Sequence, residues 1–282
     1  MKRVVASIPV HENISVIVDQ LENYRSFVPS FVGIVLHVSN CCSKDFFEKL
    51  ISLSENEYKN YLFINPERLN VTKGNWPCGL TSLFCSNFNF IKEKIDFDLY
   101  YLSNSNDMFV KAGVETIFDF YESGVNVLSD NPLSDRSDVI LFKPLLETKF
   151  KQFHSTLSFA EGSFYPKEKF DDMQKFIFQE LLLTIPIEDL NLQNGLIGGQ
   201  EYLFTTIFYS LFPELFECRY KDKILDIDIS TFEYHVHNLN EILSGRRNAY
   251  AIKRVPRSFA NSLRCKIRNL SNLHKSSIGQ KI

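Results

Sequence analysis

Apolar positions follow two alternating rhythms through the first half of the chain. Val4 to Val10 is a short, almost wholly apolar run and predicts a first strand. Ile14 to Val28 carries Ile14, Val18, Leu21 and Phe27 at helical spacing. Phe31 to Val38, FVGIVLHV, has almost no polar residue, as expected of an interior parallel strand covered on both faces. Asp45 to Leu53 reads as a helix, Tyr61 to Asn65 as a third strand, and Gly74 to Pro77 as a turn. Gly79 to Ile95 places Leu80, Leu83, Phe84, Phe88 and Ile91 on one helical face. Asp98 to Ser103 is a fourth strand, and Val114 to Glu122 is helical. This alternation predicts an α/β fold, a mostly parallel, Rossmann-type mixed sheet with helices on both faces.

The second half is less regular. A Ser/Asp/Pro loop after Asp130 leads to a predicted strand at Val139 to Phe142, and Ser158 to Tyr165 is aromatic around a Glu-Gly-Ser turn. Lys167 to Leu183 is an amphipathic helix, Asn191 to Gln200 a loop, and Glu201 to Phe212 an apolar helix. Cys218 to Tyr220, Lys223 to Ile227 and Ala249 to Ile252 read as strands, with a helix ending near Leu243.

Composition narrows this little. The 282 residues suffice for one large domain, and 26 Phe with 12 Tyr predict a strongly aromatic core. No apolar run is long enough for a membrane span, and MKRVVASIPVHE lacks a signal-peptide layout. The six cysteines show no CxxC pairing and no His at metal spacing, so reduced cytosolic thiols are the plain reading.

Charge changes the picture more. From Gly245 to Ile282 the chain has Arg246, Arg247, Lys253, Arg254, Arg257, Arg264, Lys266, Arg268, Lys275 and Lys281, and no acidic residue. The whole chain has a formal charge of -3, so the rest carries about -13. Such a segment wants an anionic partner. Nucleic-acid binding would interleave aromatics for stacking, and only Tyr250 and Phe259 are available, so no nucleic acid is expected. Phe259 to Leu270 has an apolar side suited to peripheral membrane contact, and Arg/Lys density also suits a leaving diphosphate.

In parallel α/β sheets ligands bind beyond the carboxyl ends of the strands. Three such ends are polar here: His11-Glu12, His37 to Asn40, and Asn104-Ser105-Asn106-Asp107. No GxGxxG and no GxxxxGK[ST] is present, which argues against dehydrogenases and P-loop NTPases. The Asn104–Asp107 cluster has one carboxylate, a poor set for a divalent metal, and Asx capping explains it equally. Glu201, after Gly198-Gly199, is either a favourable charge on a helix dipole or a general base at a pocket edge; Glu161 has similar standing.

Taken together, these segments resemble the core-2/I-branching β-1,6-N-acetylglucosaminyltransferase and peptide O-xylosyltransferase family, glycosyltransferase family 14, and its bacterial relatives. FVGIVLHVSN is similar to its IHxD strand, with Ser39 where the family often has Asp, and DLYYLSNSND resembles LSGxDYPL. NVTKGNWPCGLTSLF matches its strand, Trp-Gly and helix order. EGSFYPKEKF resembles its acceptor-side segment, GGQEYLFTTIF its DExxxxT helix, and ILSGRRNAYAIKRVPR its basic ending.

The resemblance implies an inverting, metal-independent transferase of GT-A-like fold, needing no cofactor, with a nucleotide-sugar donor (UDP-linked) and a glycan or lipid-linked glycan acceptor. Glu201 would be the catalytic base. Lys253, Arg254, Arg257, Arg246 and Arg247 would hold the donor diphosphate, and His11, Ser39, Asn40, Trp76, Asn106 and Asp107 the nucleotide and sugar. Glu161, Ser163 and Tyr165 would contact the acceptor. The expected organisation is one domain, 1–257, with a nucleotide-binding half, 1–125, an acceptor half, 126–257, and a basic tail, 258–282. A cytoplasmic bacterial enzyme of capsule, surface-polysaccharide or lipopolysaccharide synthesis fits, touching the inner membrane face through the tail. A metal-dependent or CMP-sugar-using transferase, or a non-catalytic nucleotide-sugar or polyanion binder, remain the alternatives.

Overall fold

The structure is a computed structural model that describes residues 1–11, 13–69, 78–129, 137–151, 154–181, 199–227 and 235–279; the side chains of 128–129, 137–141, 199–201 and 278–279 lie outside the description. The first half runs β1 (Val4–Val10), α1 (Ile14–Phe27), β2 (Phe31–Val38), α2 (Lys44–Asn56) and β3 (Leu62–Ile64). A π-helical turn (Cys78–Ser82) opens α3 (Leu83–Ile91), and β4 (Leu99–Leu102), β5 (Met108–Phe109) and α4 (Glu115–Phe120) follow. Then come β6 (Gly124–Ser129), α5 (Ser137–Lys149), β7 (Leu157–Pro166), α6 (Lys167–Lys175) with a π-helical turn to Leu181, α7 (Gly199–Leu211) and α8 (Glu214–Cys218). The chain continues through β8 (Leu225–Asp226), α9 (Val236–Leu243), β9 (Ala251–Ile252) and α10 (Ser262–Gly279).

Six strands form one mixed sheet in the order β3-β2-β1-β4-β7-β6. The β3, β2, β1 and β4 strands are parallel, and β7 is antiparallel to both neighbours. This is the predicted α/β class. The strand order turns back between β1 and β4, creating a crevice beyond their carboxyl ends. A second sheet, β5-β9-β8, brings three short segments together beside it.

Strand alternation sends neighbouring tyrosines to opposite faces. Tyr100 joins Phe88, Phe170, Tyr165 and Phe208 on one side of the sheet, while Tyr101 joins Tyr24, Phe31, Phe109 and Phe118 on the other. Helix starts follow local chemistry: the Asn13 side chain accepts the Val16 N–H and the Ser43 hydroxyl accepts that of Phe46, capping α1 and α2.

Several predicted elements differ. Val139 to Phe142 is helical, not a strand, because it belongs to α5. Phe142 and Leu146, one turn apart, are both buried there, and this spacing outweighs the β propensity of the run. Cys218 ends the helix α8, and Tyr220 makes only an isolated bridge to Gly124. The Glu-Gly-Ser turn is a bulge within β7: Gly124 pairs with Phe164, but Asn126 pairs with Phe159. Gly162 takes φ +85° there, and a Cβ would stand 2.7 Å from Leu225 Cβ.

The basic segment after Arg257 forms α10 and packs on α1. Leu263 and Ile267 are buried with Leu239, Ile252 and Val255, so these two residues of the apolar side are turned into the protein, while Phe259 stays exposed. Arg264 is fully buried; its Nη1 donates to Asp19 Oδ2 at 2.9 Å and its Nε to the Pro256 carbonyl at 2.9 Å. Arg268 reaches the other Asp19 oxygen at 2.6 Å. Arg264 and Arg268 therefore serve internal pairing. No helix among the described residues is long and apolar enough to cross a membrane.

Candidate functional site

A cavity of about 270 Å³ opens at the carboxyl ends of the central strands. From β1 come Pro9, Val10 and His11; from β2 and the turn after it come His37, Ser39 and Cys41. Leu80 and Leu83, around the start of α3, supply an apolar wall, and Asn104, just past β4, closes the far side. The strands place these residues together because parallel register aligns Pro9 with His37 and Ser7 with Leu102. An apolar cavity with a few convergent polar groups at a strand-order reversal is a general ligand-binding arrangement.

Behind Asn104 lies a buried charged cluster. Asn104 Nδ2 donates to Glu161 Oε1 at 2.5 Å, and the Lys253 ammonium donates to Glu161 Oε2 at 2.7 Å. The same ammonium sits 4.1 Å from the centre of the Phe159 ring. The β7 bulge is what turns Glu161 toward these partners, and β9 delivers Lys253, whose N–H donates to the Asp226 carbonyl at 2.8 Å. Arg254 follows in the left-handed region, φ 62°, and the Val255 N–H then reaches the Asn106 carbonyl at 2.9 Å.

Asp107 completes the cluster without lining the cavity. One oxygen accepts the Asn104 N–H at 2.8 Å and the Ser103 hydroxyl at 3.3 Å; the other has no hydrogen-bond partner. Burial pushes its carboxyl up to about 7; the Lys253 ammonium opposes that rise and the Glu161 carboxylate adds to it. Helix α1 holds this loop from below. Gln20 donates to the carbonyls of Asn104 at 2.6 Å and Asp107 at 2.9 Å, and Asn23 exchanges two hydrogen bonds with the Phe109 main chain. Tyr24 and the Ser103 hydroxyl are also hydrogen-bonded.

The structure thus brings His11 and Ser39 to the cavity, and Glu161, Lys253 and Asp107 to the cluster beside it. Asn40 is exposed, with its N–H on the Leu69 carbonyl. Ser163 and Tyr165 are fully buried, Ser163 bonded to the Phe159 carbonyl and Tyr165 packed on Phe208, and neither lines the cavity. Arg247 bridges Glu241 at 2.8 Å and Asp226 at 3.1 Å, while Arg246, Arg254 and Arg257 are exposed. Glu201 falls in the first turn of α7; its side chain, and the whole of Trp76, lie outside the described residues.

Three residues carry more of the site than the sequence reasoning assigned to them. Asn104, which joins the cavity to the cluster, was signalled by its place immediately after the fourth strand. His37 was signalled as a polar interruption of an apolar strand. Gln20 gave no signal, because a polar residue on an amphipathic helix reads as solvated. Among the described residues no three His, Cys, Asp or Glu side chains converge as a metal site.

No protein family matches the sequence, and no curated protein matches it either. Among solved structures it is similar to the mannosyltransferase PcManGT from Pyrobaculum calidifontis in complex with GDP-Man and Mn2+, at 10% identity and TM-score 0.38, over 61% of this chain and 46% of that one. It is also similar to S. aureus TarS, at 12% identity and TM-score 0.36, over 71% of this chain and 33% of that one. The chain spans less than half the length of each.

Proposed function

We propose that the chain is a GT-A-like glycosyltransferase that moves a sugar from a nucleotide-sugar to a hydroxyl of a glycan or glycolipid. The observation that carries this reading is Asn104, which belongs both to the cavity at the strand-order reversal and to the buried Lys253–Glu161 pair. A nucleoside in the cavity, among Val10, Leu80 and Leu83, directs its diphosphate toward Asn104 and the buried Lys253 ammonium next to it. That is where an anionic leaving group needs neutralisation in a site of low dielectric.

The reaction follows as an inverting displacement. An acceptor hydroxyl oxygen attacks the anomeric carbon, the bond from that carbon to the diphosphate oxygen breaks, and the hydroxyl proton passes to the Glu201 carboxylate. Lys253 exchanges Glu161 for the departing diphosphate, with the exposed Arg254 and Arg257 next along the chain. UDP as the nucleotide, independence of metal, and a place in surface-polysaccharide or lipopolysaccharide assembly belong to the same reading.

The test is a thermal-shift panel of UDP-, GDP-, CMP- and dTDP-sugars with and without Mn2+, followed by assay of released nucleotide. The reading expects stabilisation by one donor class and turnover that survives EDTA. Absence of any stabilisation would remove the donor site; activity lost with EDTA and restored by Mn2+ would overturn the metal-free mechanism.

A further inference from the structure

His37 is fully buried in the cavity wall, and one face of its ring is already committed. Its Nε2 receives the Leu69 N–H at 3.0 Å. A main-chain N–H only donates, so Nε2 carries the lone pair and the neutral ring must bear its proton on Nδ1. Burial pushes this imidazole down to about 4, which keeps the ring neutral at physiological pH; the Arg68 charge adds to that fall, and Glu67 and the Leu69 bond oppose it. Nδ1 has no hydrogen-bond partner among the described residues. A buried N–H without an acceptor is unfavourable, and a ligand that supplies the acceptor removes the cost.

The cavity lining, which holds no Lys, Arg, Asp or Glu among the described residues, defines that acceptor. Val10, Leu80 and Leu83 share the wall with His37, and the buried ammonium lies beyond Asn104 rather than in the wall. A phosphate oxygen is poorly matched to a neutral donor among aliphatic side chains, whereas the carbonyl of a heterocyclic base is well matched. We propose that His37 Nδ1–H donates to a carbonyl oxygen of the bound nucleobase and so helps select the nucleotide. This rests on the nucleotide-sugar reading of the cavity.

Two substitutions separate ligand recognition from structural support. His37→Asn keeps an amide near the position of Nδ1 and loses the Leu69 contact; His37→Gln reaches the position of Nε2 and keeps that contact. The nucleoside diphosphates of uracil, thymine, cytosine and guanine are titrated calorimetrically into the parent chain and both variants, alongside thermal denaturation. His37→Asn should bind the preferred nucleotide within about threefold of the parent, and His37→Gln at least about tenfold more weakly, although His37→Gln melts higher. If affinity follows stability, with Gln equal to or better than Asn, the inference fails while the donor site stands. If no nucleotide binds the parent chain, both readings fall. Should either variant not fold, histidine 15N spectra of the parent decide: saturating nucleotide must shift the Nδ1–H signal, and an unshifted signal overturns the proposal.

Discussion

The Lys253 ammonium lies 2.7 Å from Glu161 Oε2, with only 6% and 3% of the two side chains exposed. An ion pair this deep has surrendered most of its hydration, so each charge depends on the other. On the proposed reading, a donor diphosphate entering past Asn104 would compete with a carboxylate already in place, one anion replacing another around a cation that stays inside.

Breaking this pair on one side should be costly. Lys253→Met or Glu161→Gln alone is expected to lose about 3–5 kcal/mol of stability, because an unpaired charge remains buried. The double variant should recover most of that loss. Urea denaturation of the four proteins measures it, and additive losses would show that the two side chains are not coupled.

Asp107 makes stability depend on pH in a defined direction. Its carboxyl is raised from 3.8 to about 7 in the folded protein, so the stability it contributes is full below pH 4 and is lost as pH rises through 7. Asp107→Asn removes that dependence. Its melting temperature relative to the parent should rise by roughly 5 °C between pH 5 and pH 8. A difference that does not change with pH would mean that Asp107 ionises normally.

Helix α10 is expected to be required for the fold. Arg264→Met leaves Asp19 with Arg268 alone and is expected to cost about 3–5 kcal/mol. Removing residues 258–282 uncovers Ile252 and Val255 and should abolish cooperative unfolding. Calorimetry and limited proteolysis would detect either effect; an intact, cooperative shortened chain would contradict it.

For the proposed reaction, Glu201→Gln should bind donor as the parent does and lose turnover by about 10²–10⁴-fold. Single-turnover kinetics with calorimetric donor titration separates the two quantities. Unchanged turnover removes Glu201 as the base.

Local patterning made the central sheet legible. The apolar runs of β1, β2 and β4 and the amphipathic faces of α1 and α3 follow from residues near in sequence. What could not be read depends on partners far away. Glu161 and Lys253 are 92 positions apart, and neither carries a mark of the other. Arg264 reads as one more cation of a run that wants an anionic ligand, yet Asp19, 245 positions earlier, draws it into the interior. The run Val139 to Phe142 has the composition of a strand, and only burial of Phe142 with Leu146 reveals its period. Asn104 was visible as a strand end, but its link to Glu161 required the β7 bulge.

That distant bond from Asp19 to Arg264 also orders events during synthesis. Asp19 leaves the ribosome early, on a helix that flanks the first strand of the sheet, and its partner emerges 245 residues later. Until then the nascent chain can pair β1 with β2 and β3, but the polar side of α1 stays open to water. Completion waits for the distal helix to dock, a contact of very high sequence separation and hence slow closure. The Asp19 side of α1 is consequently covered only after Arg264 has been made.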